Sequence, residues 1–168
     1  MKTLTEAEVQ RLFNATADDR LAALWVLLIT TGLRLGEALG LQWSDIDLAS
    51  RKMVVQRALQ RQRGSGLVLT ELKTRKSRRL VHLAPMAVSA LIEHRRRQAR
   101  QQLLLGAEWQ DTGLVFTSLK GGPMEPHVSN EALDRALAVA GLPRVRVHDL
   151  RHTAASLLLA RGVHAKVV

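Results

Sequence analysis

The chain has 168 residues, enough for one domain with its own core, and 46% of them are hydrophobic. Its 25 Lys and Arg residues against 15 acidic ones leave a net charge of +10, which points to a polyanionic partner, nucleic acid or an anionic membrane surface. Cysteine is absent, which argues against disulfides and structural zinc, and the longest apolar run, Leu21–Ile29, is too short to span a bilayer. Aromatic residues make up only 3%, too few for a platform that stacks single-stranded bases, so duplex DNA held by its phosphates fits best. The first residues carry no signal-peptide pattern, and the expectation is a soluble, cytoplasmic protein with no membrane partner. Tyrosine is absent from all 168 residues.

In chain order, Thr5 followed by Glu8 forms a capping box that predicts a helix running to about Thr16. Asp18 and Asp19 then cap a second helix, Arg20–Thr31, whose Leu21, Leu24, Trp25, Leu27 and Leu28 predict burial on nearly all sides. Gly32 ends it, and a short third helix is expected over Arg34–Leu41. Composition shifts after Trp43. Met53–Leu59, Leu67–Leu72 and Arg78–Leu83 read as three strands of a small antiparallel sheet, with a turn at Gly64-Ser65-Gly66. Pro85 opens a long helix to about Leu105, on which Arg95, Arg96, Arg97 and Arg100 form a solvated face. Leu114–Phe116 reads as a short strand and Lys120–Pro126 as a loop. Ser129 then caps a helix that ends at Gly141.

From Leu150 to Gly162 the spacing of Leu150, Ala154, Leu157, Leu158 and Arg161 predicts one more helix, and Val163–Val168 reads as the start of another. Asp149 is placed to cap this helix or to sit in its first turn. His148 and Arg151, three apart, then share a face at the positive end of the helix, where an imidazole, a guanidinium and backbone N–H groups suit a phosphate. Two other readings stand beside this one. The stretch could be a core helix with a polar start. His148 and His152, four apart, could also hold a metal, although no glutamate or cysteine completes such a set.

Three segments, Thr31–Leu41 (TGLRLGEALGL), Leu72–Leu83 (LKTRKSRRLVHL) and His148–Gly162 (HDLRHTAASLLLARG), together resemble the catalytic domain of the tyrosine recombinases, the phage integrase family. The resemblance covers essentially the whole chain. It implies an α+β, mainly α-helical bundle with a small three-stranded antiparallel sheet, spanning residues 1–168 as one catalytic domain. The family's first catalytic arginine falls on Arg34, its nearby acidic residue on Glu37, and its His-x-x-Arg pair on His148 and Arg151. The hairpin lysine falls on Lys73, with Lys76 as its rival, and Arg75, Lys76, Arg78 and Arg79 are expected to touch DNA.

By this resemblance the chemistry is site-specific DNA recombination through a 3′-phosphotyrosyl intermediate, as in a bacterial or phage mobile element. It implies no cofactor and no metal, double-stranded DNA as partner, no small-molecule substrate, and tetrameric self-association on DNA in a nucleoid-associated protein. The family's next motif and its tyrosine are expected beyond Val168, and its amino-terminal core-binding domain before residue 1, so these residues alone should not cleave DNA. A type IB topoisomerase-like enzyme and a non-catalytic DNA-binding module are the alternative readings.

Overall fold

The computed structural model describes residues 2–162; the helix start expected at Val163–Val168 lies outside the described residues. The fold is mainly helical with small antiparallel sheets, and it divides into two compact units. One comprises the residues up to Leu35 together with those from His127 onward, and the other is Gly36–Pro126.

In the first unit, α1 (Glu6–Ala15) begins with the expected capping box: Glu8 N–H donates to Thr5 Oγ1 at 3.3 Å, and Thr5 N–H to Glu8 Oε2 at 2.7 Å. α2 (Ala22–Thr31) starts two residues later than expected, because Asp19 caps a preceding turn, taking the Leu21 N–H at 2.9 Å. Seven of its ten residues are buried, so it is the core of this unit. Gly32, at φ 68°, ends it in the left-handed conformation that favours glycine.

α5 (Pro126–Ala140) begins at Pro126 rather than at Ser129. Proline suits a first helical position, and Ser129 is carried into the interior, fully buried. The Arg11 guanidinium reaches from α1 to the end of α5, donating to the carbonyls of Ala140 and Gly141 at 2.7 and 3.0 Å. α6 (Val147–Ala160) starts three residues before the expected Leu150, since Asp149 sits inside the first turn and takes the Arg146 backbone N–H at 3.0 Å. It packs along α2.

In the second unit, the expected strand Met53–Leu59 divides at Gln56. β1 (Ile46–Asp47), β2 (Lys52–Val55) and β5 (Arg79–His82) make one antiparallel sheet in the order β1-β2-β5. β3 (Arg57–Gln62) and β4 (Gly66–Glu71) form a separate two-stranded ladder joined through Gly64 and Gly66, both at positive φ with open space around them. At the break lies the buried carboxylate of Asp45, gripped by Gln56 Nε2 at 2.7 Å and Arg57 Nη1 at 2.6 Å. Asp45 stands 11 and 12 residues before these two partners, beyond what strand periodicity reads.

Leu114–Phe116 is buried but is not a strand; Leu114 makes only a single bridge, to Gln42. Its carbonyls are satisfied instead by side chains of α4 (Pro85–Leu105): Gln98 Nε2 donates to Leu114 and Val115 O at 3.1 Å each, and His94 Nε2 lies 2.6 Å from Val115 O. Of the arginine run on α4, Arg95, Arg96 and Arg100 are exposed as expected, with Arg95 stacked over Trp43 at 5.2 Å, whereas Arg97 is half-buried and lies 3.5 Å from Glu93 Oε1.

Between the units in sequence comes the short α3 (Leu35–Leu39). A Cβ added to Gly40 would lie 3.0 Å from both Ala58 Cα and Leu59 N, so the glycine lets β3 approach the chain backbone to backbone. Gly40→Ala is therefore expected to destabilise the fold by about 1–3 kcal/mol in urea unfolding, the range for overpacking a filled site.

Candidate functional site

The first unit builds a basic cleft from two places in the chain. At the end of α2, Gly32 turns the backbone and Leu33 drops into the core, which leaves the next residue, Arg34, exposed. On α6, Val147, Leu150 and Ala154 are buried, so helical spacing carries His148 and Arg151 to another face. Arg34, His148 and Arg151 then line one cleft of about 150 Å³, closed by Leu33, Leu35, Val147 and Asn130. None of the lining residues is acidic. Two guanidiniums and an imidazole are the groups whose chemistry suits a tetrahedral anion. His148 and His152, the pair considered as metal ligands, pack edge to face with ring centroids 5.2 Å apart. Among the described residues no three histidine or acidic side chains come together as a metal site.

Asp149 holds the start of α6 in place. Arg146 grips its carboxylate through Nε at 3.1 Å and Nη2 at 3.0 Å, and these bonds hold its pKa down to about 2. The Arg146 backbone N–H adds to the same effect.

The second unit holds Glu37, Lys73 and the basic hairpin. Glu37, 2% exposed, receives a bidentate pair from Arg79, Nη1 to Oε1 at 3.1 Å and Nη2 to Oε2 at 3.0 Å. Arg79 Nη1 also donates to Ser77 O at 3.2 Å. Lys73, Arg75 and Lys76 are exposed in the turn between β4 and β5. Arg78 fastens the base of this turn through Leu72 O at 2.8 Å and Glu71 Oε2 at 2.9 Å. Of the four hairpin cations expected to touch DNA, Arg75 and Lys76 are thus exposed on the turn, while Arg78 and Arg79 brace it.

Two features of this arrangement escaped sequence reasoning. Asn130 lines the cleft from α5, where one asparagine on an exposed face carries no signal. The Arg79–Glu37 pair joins residues 42 apart, beyond the reach of any local pattern.

A depressed carboxylate pKa stabilises the fold above the unfolded value and loses that contribution as protons bind the folded state. For Asp149 the window runs from its ordinary 3.8 down to about 2. Acid titration followed by circular dichroism is expected to show stability falling through this window, and Asp149→Asn should be less stable near neutrality and lack that component of the fall.

Comparison with known proteins bears on the family and the fold. The chain is 33% identical to a tyrosine recombinase XerC-like protein of Caldanaerobacter subterraneus subsp. tengcongensis, over 100% of this chain and 46% of that protein. It is 31% identical to the tyrosine recombinase XerC of Halalkalibacterium halodurans, over 98% of this chain and 51% of the relative. The chain therefore spans about half the length of these curated relatives. Among solved structures, the XerA recombinase matches with a TM-score of 0.75 at 26% identity, over 99% of this chain and 52% of that one. The Tn1549 transposon integrase in complex with transposon right end DNA shares the fold, with a TM-score of 0.83 at 22% identity over 99% of this chain and 56% of its own. The model of the phage integrase family matches residues 2–168, and the chain belongs to that family.

Proposed function

We propose that residues 1–168 are the catalytic domain of a site-specific DNA recombinase, and that the cleft of Arg34, His148 and Arg151 receives the scissile phosphate of duplex DNA. One observation carries the reading: two arginines and a histidine from separate segments line one cleft whose lining includes no carboxylate. A phosphodiester gains negative charge on its nonbridging oxygens in the transition state, and forked guanidiniums hold that charge by fixed hydrogen bonds. A metal ion is not needed for this role.

In the reaction a tyrosine oxygen forms a bond to phosphorus while the bond to the 5′ oxygen breaks. His148 helps move the tyrosine's proton, and Lys73, or its rival Lys76, supplies a proton to the leaving 5′ oxygen. A second 5′ hydroxyl later attacks the phosphotyrosyl bond and frees the tyrosine, so the phosphodiester is restored without ATP. Glu37, braced by Arg79, supports the segment that follows Arg34. Arg75 and Lys76 approach the DNA backbone from the hairpin. The protein assembles as a tetramer on its DNA, takes no small-molecule substrate, and works in the cytoplasm at the nucleoid. Relatives from bacteria and from Staphylococcus phage L54a support that setting, as does the lack, among the described residues, of a helix able to cross a membrane.

These 168 residues contain no tyrosine and by themselves should bind DNA without cutting it. The alternative reading is a non-catalytic DNA-binding module. A form extended to include a family-type tyrosine segment, offered a nicked substrate that traps the covalent adduct, separates the two. Adduct is expected from the extended form, and Arg34→Ala or Arg151→Ala should each lower its rate by about 100-fold or more. Undiminished adduct in both variants would refute the assigned cleft, and no adduct from the extended parent would favour the binding module.

A further inference from the structure

Beside the cleft, and outside the residues assigned to catalysis, lies a second set of cations. The cleft's His148, Asn130 and Val147 also line an adjoining cavity of about 380 Å³ whose far wall is Asp134, Arg144, Val145 and Arg146. Arg144, Val145 and Arg146 in turn border a further cavity of about 370 Å³ together with Lys2 and Asp149. All of these residues belong to the first unit. Three spaces that share their walls thus form one basic track, from Arg34 and Arg151 past His148 to Arg144, Arg146 and Lys2.

Both arginines of the extension are held by carboxylates in the two-pronged geometry they would use on phosphate. Arg144 reaches Asp134 through Nε at 2.9 Å and Nη2 at 2.8 Å, and Arg146 reaches Asp149 as described above. Both remain open to solvent, with side chains 81% and 75% exposed. The Arg144–Asp134 pair is open to water at both ends, and an ion pair of this kind is weak, so a polyanion can exchange for the Asp134 carboxylate. The two differ in what they leave behind. Asp134 is 38% exposed and returns to water when Arg144 departs. Asp149 is 5% exposed and keeps only the Arg146 backbone N–H from that partner. Arg144 is therefore the more easily released.

We infer that Arg144 and Arg146, with Lys2, form a phosphate track for the DNA strand next to the scissile position, and that Asp134 occupies it as an internal stand-in for phosphate until DNA arrives. The inference rests on the proposed DNA-binding function and extends it: Asp134 becomes a competitor that sets affinity, which a merely structural ion pair would not be.

The test is titration of the 168-residue chain with a blunt 20-base-pair duplex at several salt concentrations, with thermal melting to check folding. Arg144→Ala/Arg146→Ala should bind about tenfold more weakly at low salt, and its log–log salt slope should shrink by about 1.8, two phosphate contacts' worth. Asp134→Asn should bind about threefold more tightly, because it releases Arg144. Glu131→Gln, the same charge change one turn earlier on α5, should leave affinity near wild type. Should the double variant fail to fold, the comparison of Asp134→Asn with Glu131→Gln decides. If Asp134→Asn and Glu131→Gln behave alike, or a folded double variant keeps the wild-type slope, the track is overturned and the cleft reading survives. If wild type does not bind the duplex at all, the functional reading falls and the track with it.

Discussion

The contact on which the first unit depends is that of α6 against α2. α2 is apolar almost all round, and its Leu24, Trp25 and Leu27 have no exposure at all. Burying such a helix removes several side chains' worth of apolar area from water, each contributing about 1.5–3 kcal/mol. The α6 residues in that interior, Leu150 and Ala154, are equally buried. Close packing leaves little freedom of rotation about the α6 axis, because a turned helix would expose its apolar face. The direction of His148 and Arg151 is thereby a product of the core. Arg34 is tied to the same core from the other side, two residues after the glycine that ends α2. The basic cleft is assembled by hydrophobic packing, and its charged groups need only be present at the correct turn.

A second theme is how the chain spends its acids. Glu37, Asp45 and Asp149 are all buried, and each is gripped by an arginine: Arg79, Arg57 and Arg146. Buried ion pairs of this sort add little net stability, because desolvation offsets the attraction, yet breaking one leaves a costly unpaired charge. They act as specifiers of geometry. Glu37 braces the hairpin, Asp45 marks the point where one ladder stops and the next begins, and Asp149 fixes the start of α6. Acids turned inward leave a surface on which the surplus of lysine and arginine is felt all the more, as suits binding to a polyanion.

Much of this was legible in the sequence. The capping box of α1, the buried α2, the glycine stop after it and the proline start of α4 each rest on interactions within a few residues, which is the range that pattern reading covers. The gathering of Arg34 with His148 and Arg151 came through the family resemblance, since no periodicity joins residues more than a hundred apart. What stayed hidden was set by partners distant in the chain. Met53–Leu59 reads as one strand until Asp45 is seen to anchor its middle. Leu114–Phe116 has strand composition, but α4 side chains take its carbonyls. Pro126 looks like loop because it follows a glycine-rich segment, whereas it opens α5. The bidentate grip of Arg79 on Glu37 spans 42 residues, out of reach of any local pattern.

The β3–β4 tip has a consequence of its own. Gly64 and Gly66 both adopt positive φ, and nothing lies near where their side chains would be. Replacing either residue strains the turn, but lengthening the chain between them meets no obstacle. Closing a flexible loop costs only about 0.6 kcal/mol more for each doubling of its length. The tip is therefore the place where this scaffold can absorb extra sequence at small cost, and where a natural variant could acquire a longer arm, or an experimenter a fluorescent reporter, without disturbing the ladder beneath it.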